Sequence, residues 1–268
     1  MKLDRVTLVY FSPTRTTKQV LEGIAQGLGA LGVTSVDLTL PEADSAETVV
    51  LDADLVVVGA PVYGGRIPPT GMQRLQFLRG QDTPAILVAV YGNRAFEDAL
   101  LELSDWAQAA GFVPVAGGAF IGEHSYNTPL TPIAPGRPDA ADLAKAADFG
   151  RAVRRRLEGV TASADLVPAS LPGSRPYRKL HRSGSRAPVT RVDLCTLCGR
   201  CAEVCPTGAI TVSDAVVTVA EECIMCCACV KVCPTDARVM EHERILQTAE
   251  WLSAEHGVRK EPEVFIYG

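Results

Sequence analysis

The sequence predicts an α/β protein, a doubly wound five-stranded parallel sheet over residues 1–157 followed by a small α+β domain rich in cysteine. Three observations point there. Short β-branched runs alternate with longer helical stretches from Leu3 to about Leu157, the pattern of a parallel sheet covered by helices on both faces. All nine cysteines fall between Cys195 and Cys233. The 268 residues, 47% hydrophobic and 21% charged, suffice for one ordinary globular domain and a smaller one.

In chain order, strands are expected at Arg5 to Phe11, Thr34 to Asp37, Leu55 to Gly59, Ala85 to Tyr91 and Val113 to Ile121. Helices fit between them, at about Thr17 to Leu31, Thr70 to Leu78, Phe96 to Ala110 and Ala140 to Leu157. A ligand of such a sheet sits beyond the carboxyl ends of its strands, so the loops after the strands are the places to search. Gly23, Gly27 and Gly29 lie within the first helix and make no dinucleotide fingerprint, and no Walker loop is present. From Glu158 to Thr190 the periodicity stops and Pro, Ser, Gly and Arg take over, so residues 158–190 read as a linker that wraps one domain. A sharper alternative sets Arg175, Arg178, Lys179 and Arg182 against an acidic partner or the anionic cofactors considered below. In the tail, 242–268, Glu243 to His256 reads as a helix and Glu263 to Tyr267 as a strand that docks on either domain.

The net charge of −5 excludes the clustered basic footprint of a nucleic-acid binder. The opening Met1 to Arg5 has no signal-peptide character, and the apolar runs Leu55 to Val62 and Ala85 to Tyr91 are too short to span a bilayer. A cytoplasmic location is therefore expected. Thiols confined to one short segment of such a chain point to metal rather than to disulfides.

The run Cys195, Cys198, Cys201, Cys205-Pro206 recurs with the same spacing as Cys223, Cys226, Cys229, Cys233-Pro234. A loop with cysteines at every third position can wrap three corners of a cubane cluster with its amides turned toward the sulfurs. Residues 190–241 resemble the bacterial two-cluster ferredoxins, whose run has this spacing and whose fourth cysteine ligates the other cluster. The resemblance implies two [4Fe–4S] clusters in a domain over residues 191–241. Cys195, Cys198, Cys201 and Cys233 would hold one, and Cys223, Cys226, Cys229 and Cys205 the other. Zinc knuckles share the Cys-x2-Cys pair but do not require the third cysteine or the Cys-Pro. Cys227, directly after Cys226, reads as a small buried residue beside a cluster, with a sensor or spare ligand as the alternative.

Ser12, Thr14, Arg15, Thr16 and Thr17 sit where the first strand turns into the first helix, and hydroxyls at a helix N-terminus suit an anion. An ordinary helix cap would explain one hydroxyl but not four. The segment resembles the phosphate loop of flavodoxins, with Arg15 in place of that family's glycine. In flavodoxins the loop after the third strand lays a side chain on the isoalloxazine ring, which points to Pro61, Val62, Tyr63 and Gly64, with Tyr63 against the ring. Tyr91, Gly92 and Phe96 match the loop after the fourth strand, with Asn93 and Arg94 set to bond the ring's pyrimidine edge. The resemblance implies FMN.

Flavodoxin-like domain first and two-cluster ferredoxin second, nearly the whole chain resembles the flavodoxin and ferredoxin fusion proteins of anaerobic microbes. Two functions follow. One is an oxidoreductase that reduces a small molecule at the flavin, for which His124 is the candidate proton donor and Ser125 a further flavin contact. The other is a carrier between redox proteins with no substrate of its own. A redox or oxygen sensor is a third class, without a recognisable output domain. A redox-protein donor or acceptor is expected in every case.

Overall fold

The computed structural model describes residues 3–44, 47–160, 165–180 and 186–266. Strand β1 (Arg5–Tyr10) leads into helix α1 (Thr16–Leu28) and strand β2 (Gly32–Asp37), and β3 (Val49–Val50) precedes β4 (Leu55–Pro61). Helix α2 (Pro69–Leu75) and β5 (Leu78–Arg79) lead to β6 (Thr83–Tyr91), α3 (Ala99–Ala109), β7 (Phe112–Ile121) and α4 (Ala140–Glu158). The spatial order β2-β1-β4-β6-β7, all parallel, is the flavodoxin-like doubly wound order, which reverses direction between β1 and β4. Alternation along β4 sends Val56 and Val58 into one core, with α2 and α3, and Leu55 and Val57 into the other, with α1 and α4. A side chain on Gly27 would strike the Ala147 carbonyl and one on Gly150 the Ile24 carbonyl, so these glycines let α1 and α4 cross at backbone contact.

The predicted elements differ in detail. Gly29 caps α1 in a left-handed conformation rather than lying within it, because the helix needs a residue at ease with positive φ to end there. Helix α3 starts at Ala99, leaving Phe96 in the preceding loop. The sheet has a sixth strand, β12 (Glu263–Ile266), antiparallel on β7, so the tail completes the first domain and covers its open edge. Tyr267, the expected end of that strand, lies outside the described residues.

The small domain comprises β8 (Val189–Thr190), α5 (Arg200–Glu203), β9 (Ile210–Val212), β10 (Val216–Thr218), α6 (Ala228–Lys231) and β11 (Arg238–Val239). Helix α7 (Glu243–His256) leads from it back to β12 and buries Ala249 and Leu252 against Ile133 of the first domain. Beyond α7 the tail is pinned by Arg259 to Asp139 and Asp142, and by Lys145 to Glu261. No helix among the described residues is long and apolar enough to cross a membrane.

Ser174 to Arg178 of the linker form a strap across α3. Ser174 and Arg178 donate their amides to the two Asp98 carboxylate oxygens at 2.9 and 2.7 Å. Arg175 pairs with Asp105 and Arg178 with Glu97, so the acidic partner of these arginines is the chain's own first domain. For Arg175 and Arg178 that corrects the alternative that set them, with Lys179 and Arg182, against a separate partner or the cofactors. Arg182 lies outside the described residues.

Candidate functional site

The loops that follow β1, β4, β6 and β7 meet at the carboxyl edge of the sheet. Arg15 caps α1 at φ 66°, a left-handed geometry that glycine adopts freely and that other residues adopt at a cost of roughly 1–2 kcal/mol. Arg15 thus holds a backbone shape that glycine would adopt without that cost. Ser12 donates its amide to Thr39 Oγ1 at 2.9 Å and accepts the Lys18 amide on Oγ at 3.1 Å. Thr16 lies beside Gly122, and Thr14 is half-buried. Thr17 is 1% exposed and its Oγ1 has no hydrogen-bond partner. A buried orphan hydroxyl in the first turn of a 13-residue helix, where the amides also lack intrahelical acceptors, is what a bound phosphate would satisfy.

After β4, Pro61 and Val62 lead to Tyr63, whose backbone pairs with Arg66 across the left-handed Gly64 and Gly65. Ser125 lies near the Tyr63 hydroxyl. After β6, a side chain on Gly92 would collide with the His124 ring, so glycine is required for that approach. Tyr91 is buried and Phe96 leans on it, with ring centroids 5.6 Å apart.

Two expectations change here. Asn93 is 1% exposed and its amide nitrogen donates to the carbonyls of His256 and Val258, at 2.5 and 2.8 Å, so it holds the tail rather than facing a ligand. Arg94 pairs with Glu97 at 2.8 Å. The charge and amide that looked free in the sequence are consumed by groups far away in the chain or in the next turn. His124 accepts the Tyr126 amide on Nδ1 at 3.0 Å, which puts the ring proton on Nε2. Burial, then the nearby Lys231 and Arg94 charges, push its pKa down to about 4, which favours the neutral ring.

The two halves of the small domain repeat in backbone as in sequence. Leu197 and Met225, Gly199 and Cys227, and Gly208 and Asp236 are left-handed pairs at equivalent positions of the repeat. The strands cross between halves, β8 pairing with β11 and β9 with β10. Two cavities result. Cys205, Cys223, Cys226 and Cys229 line one, and Cys195, Cys198, Cys201 and Cys233 line the other. Among the described residues no three Cys, His, Asp or Glu side chains converge as they do on one ion, and each cavity is bordered by four cysteines drawn from both runs, with Cys227 a fifth at the inner one. Cys227 caps α6 at φ 56°, where its repeat mate is Gly199 at 81°. Cys227→Gly should therefore keep the full iron content, with relief of roughly 1–2 kcal/mol of left-handed strain offsetting the lost burial. Iron loss in that variant would make Cys227 a ligand.

The cavity with Cys205 faces the sheet loops. Ile224 packs on the first domain's core, and the Tyr126 hydroxyl reaches Met225 Sδ at 4.0 Å. Arg74, 1% exposed, spans the junction, donating to the Leu38 and Thr39 carbonyls, to Asp44 and, at 2.8 Å, to the Pro206 carbonyl. Lys231 pairs with Glu123. Burial alone would raise the Glu123 carboxyl, but the Lys231 ammonium and the Gly136 amide outweigh it and hold it below the usual range.

Residues 188–211 and 216–239 each match the family described as the 4Fe-4S binding domain. No curated protein sequence matches the chain. Among solved structures, oxidised flavodoxin 2 from Bacillus cereus is similar at 17% identity and a TM-score of 0.43, over 57% of this chain and 99% of that one. A flavodoxin from the domain Archaea is similar at 15% identity and a TM-score of 0.37, over 57% and 99%. The rubredoxin oxygen:oxidoreductase of Desulfovibrio gigas is similar at 18% identity and a TM-score of 0.42, over 58% of this chain and 36% of that one. The fold assignment itself rests on the strand order. The chain is a flavodoxin-like α/β domain joined to a 4Fe-4S ferredoxin domain. It fits a flavodoxin and ferredoxin fusion.

Sequence reading missed Arg74, Tyr126, Met225 and Arg238. For the first three no local pattern exists, since their roles come from contacts with distant parts of the chain. For Arg238 a signal was present, because the repeat aligns it with Ile210.

Proposed function

We propose that the chain is an iron–sulfur flavoprotein that moves electrons between two [4Fe–4S] clusters and one FMN, and that it acts as an oxidoreductase at the flavin. The observation that carries this reading is the junction itself. Ile224 and Pro206, in the wall of the cavity of Cys205, Cys223, Cys226 and Cys229, meet the first domain's core and Arg74, and Met225 beside them meets the Tyr126 hydroxyl in the loop after β7, one of the loops that would hold the flavin. Bound FMN would supply one- and two-electron chemistry beside clusters that exchange single electrons.

The chain's own groups then divide the work. Ser12, Thr14, Thr16 and Thr17, with the α1 amides, bind the phosphate, and Arg15 adds a positive charge at the entrance. Tyr63 and Gly64 with Gly92 and Phe96 border the ring. Tyr126, Met225 and Ile224 make the contacts between the first domain and the side of the inner cysteine cavity. Outside the other cavity Cys198 is exposed among Val192, Leu194 and Leu197, a surface suited to a redox protein.

The neutral, tethered His124 favours a second reading, a carrier whose flavin edge serves another protein. Rapid mixing of the reduced protein under anaerobic conditions separates the two. An oxidoreductase is reoxidised by a small molecule at low concentration, in a reaction lost on flavin removal. Reoxidation only by redox proteins, with every small acceptor inert, would establish the carrier.

A further inference from the structure

At Arg238 the repeat breaks its own chemistry. Its mate in the first half is Ile210, an ordinary core residue at the start of β9, while Arg238 starts β11. It is nonetheless as buried as a core residue, at 3% exposure. Nη1 donates to Thr190 Oγ1 at 2.7 Å, and Nη2 to Thr218 Oγ1 at 3.1 Å and toward Cys229 Sγ at 3.8 Å. Thr190 and Thr218 are themselves repeat mates, so the guanidinium is held by equivalent hydroxyls from both halves of the domain. Its Nε is buried without an acceptor. Among the described residues no carboxylate bonds to it, and it forms part of the wall of both cysteine cavities.

A guanidinium stays charged throughout the working pH range, and a buried charge without a counter-ion is costly. Two neutral hydroxyls do not supply the missing charge. Anionic thiolate-bound groups on either side would. We propose that Arg238 is a positioning residue shared by both clusters, a fixed buried cation that favours the reduced form of each. This rests on the two-cluster reading above. Reduction adds one electron from a donor and breaks no bond, and the added negative charge is met by the guanidinium in a medium of low dielectric rather than by an incoming proton. The isoleucine of the first half could not do this. One arginine between two sites makes them respond together.

The test uses the full chain with its iron and sulfide in place, titrated anaerobically with dithionite and followed by electron paramagnetic resonance. Arg238→Gln should keep its iron, while the reduction equilibrium of each cluster falls at least tenfold, which is about 59 mV for a one-electron couple. Arg238→Lys, which keeps the charge, should stay within tenfold of the parent. Unchanged potentials in Arg238→Gln, a shift in one cluster alone, or an equal shift in Arg238→Lys would overturn the proposal. If Arg238→Gln loses iron, Arg238→Lys decides: retained iron and potentials support the charge, and iron loss there too means a purely structural role. A parent chain holding a single cluster would instead overturn the two-cluster reading.

Discussion

Cys205→Ala is expected to lose about half of the iron, leaving roughly four of about eight atoms per chain. The reason is that Cys205 is in the first sequence run but lines the cavity of Cys223, Cys226 and Cys229. Its mate Cys233 lines the opposite cavity with Cys195, Cys198 and Cys201. The two ligand-removal variants should therefore differ in consequence as well as in which cluster they remove. Cys205→Ala empties the inner cavity and should leave a flavin that the remaining cluster reduces poorly. Cys233→Ala empties the outer cavity and should leave direct exchange between flavin and inner cluster intact, while slowing delivery from a redox protein. Iron and sulfide analysis, with stopped-flow reduction of the flavin, measures both. If Cys205→Ala spared the cluster of Cys223 and lost that of Cys195, ligands would not cross between the runs.

The strand ends and the cysteine spacing were legible in the sequence because each is a local signal. A β-branched run marks a strand, and a fixed cysteine period commits a loop to one shape. The hydroxyls at Ser12 to Thr17 were likewise readable, since they sit within one turn of a helix start. What could not be read was which polar groups are consumed by distant chain. Asn93 looks free in sequence, yet it is occupied by the His256 and Val258 carbonyls of the tail. The tail strand had no partner to name until β7 offered an open edge. Arg74 illustrates the same point for packing. It looks like a surface arginine on α2, but it is buried at the junction because the Leu38, Thr39 and Pro206 carbonyls all need a donor there.

The two domains are joined in a way that bears on electron flow. The strap from Ser174 to Arg178 and the tail from Arg259 to β12 both bind the first domain. The Glu123 and Lys231 pair and the Arg74 bond to Pro206 then act directly between the domains. With chain running to it from both ends, the cysteine domain is tethered twice, so the inner cavity is held beside the sheet loops rather than delivered to them by diffusion.

The variant Thr17→Val is expected to move two measurements in opposite directions. In the ligand-free chain the Thr17 hydroxyl is a buried oxygen without a partner, and removing an unsatisfied polar group of that kind relieves a penalty of roughly 1–3 kcal/mol. The flavin-free protein should therefore melt at a higher temperature than the parent. If FMN phosphate is the missing partner, the same change should weaken FMN by about 5-fold to 150-fold, the same energy read as affinity. Adding Thr14→Val removes a second hydroxyl from the loop and should take flavin content of the purified protein toward zero with iron unchanged. Thermal melts of the flavin-free form, FMN titrations and parallel iron assays supply the three readouts. A hydroxyl that served only the fold would cost stability on removal and leave FMN affinity alone. A phosphate ligand gives the reverse pattern, and riboflavin, which lacks the phosphate, should bind the parent and Thr17→Val equally weakly. If the parent took riboflavin as tightly as FMN, the anion assignment of the Ser12 to Thr17 loop would fall, and the junction beside Cys226 would need a different occupant.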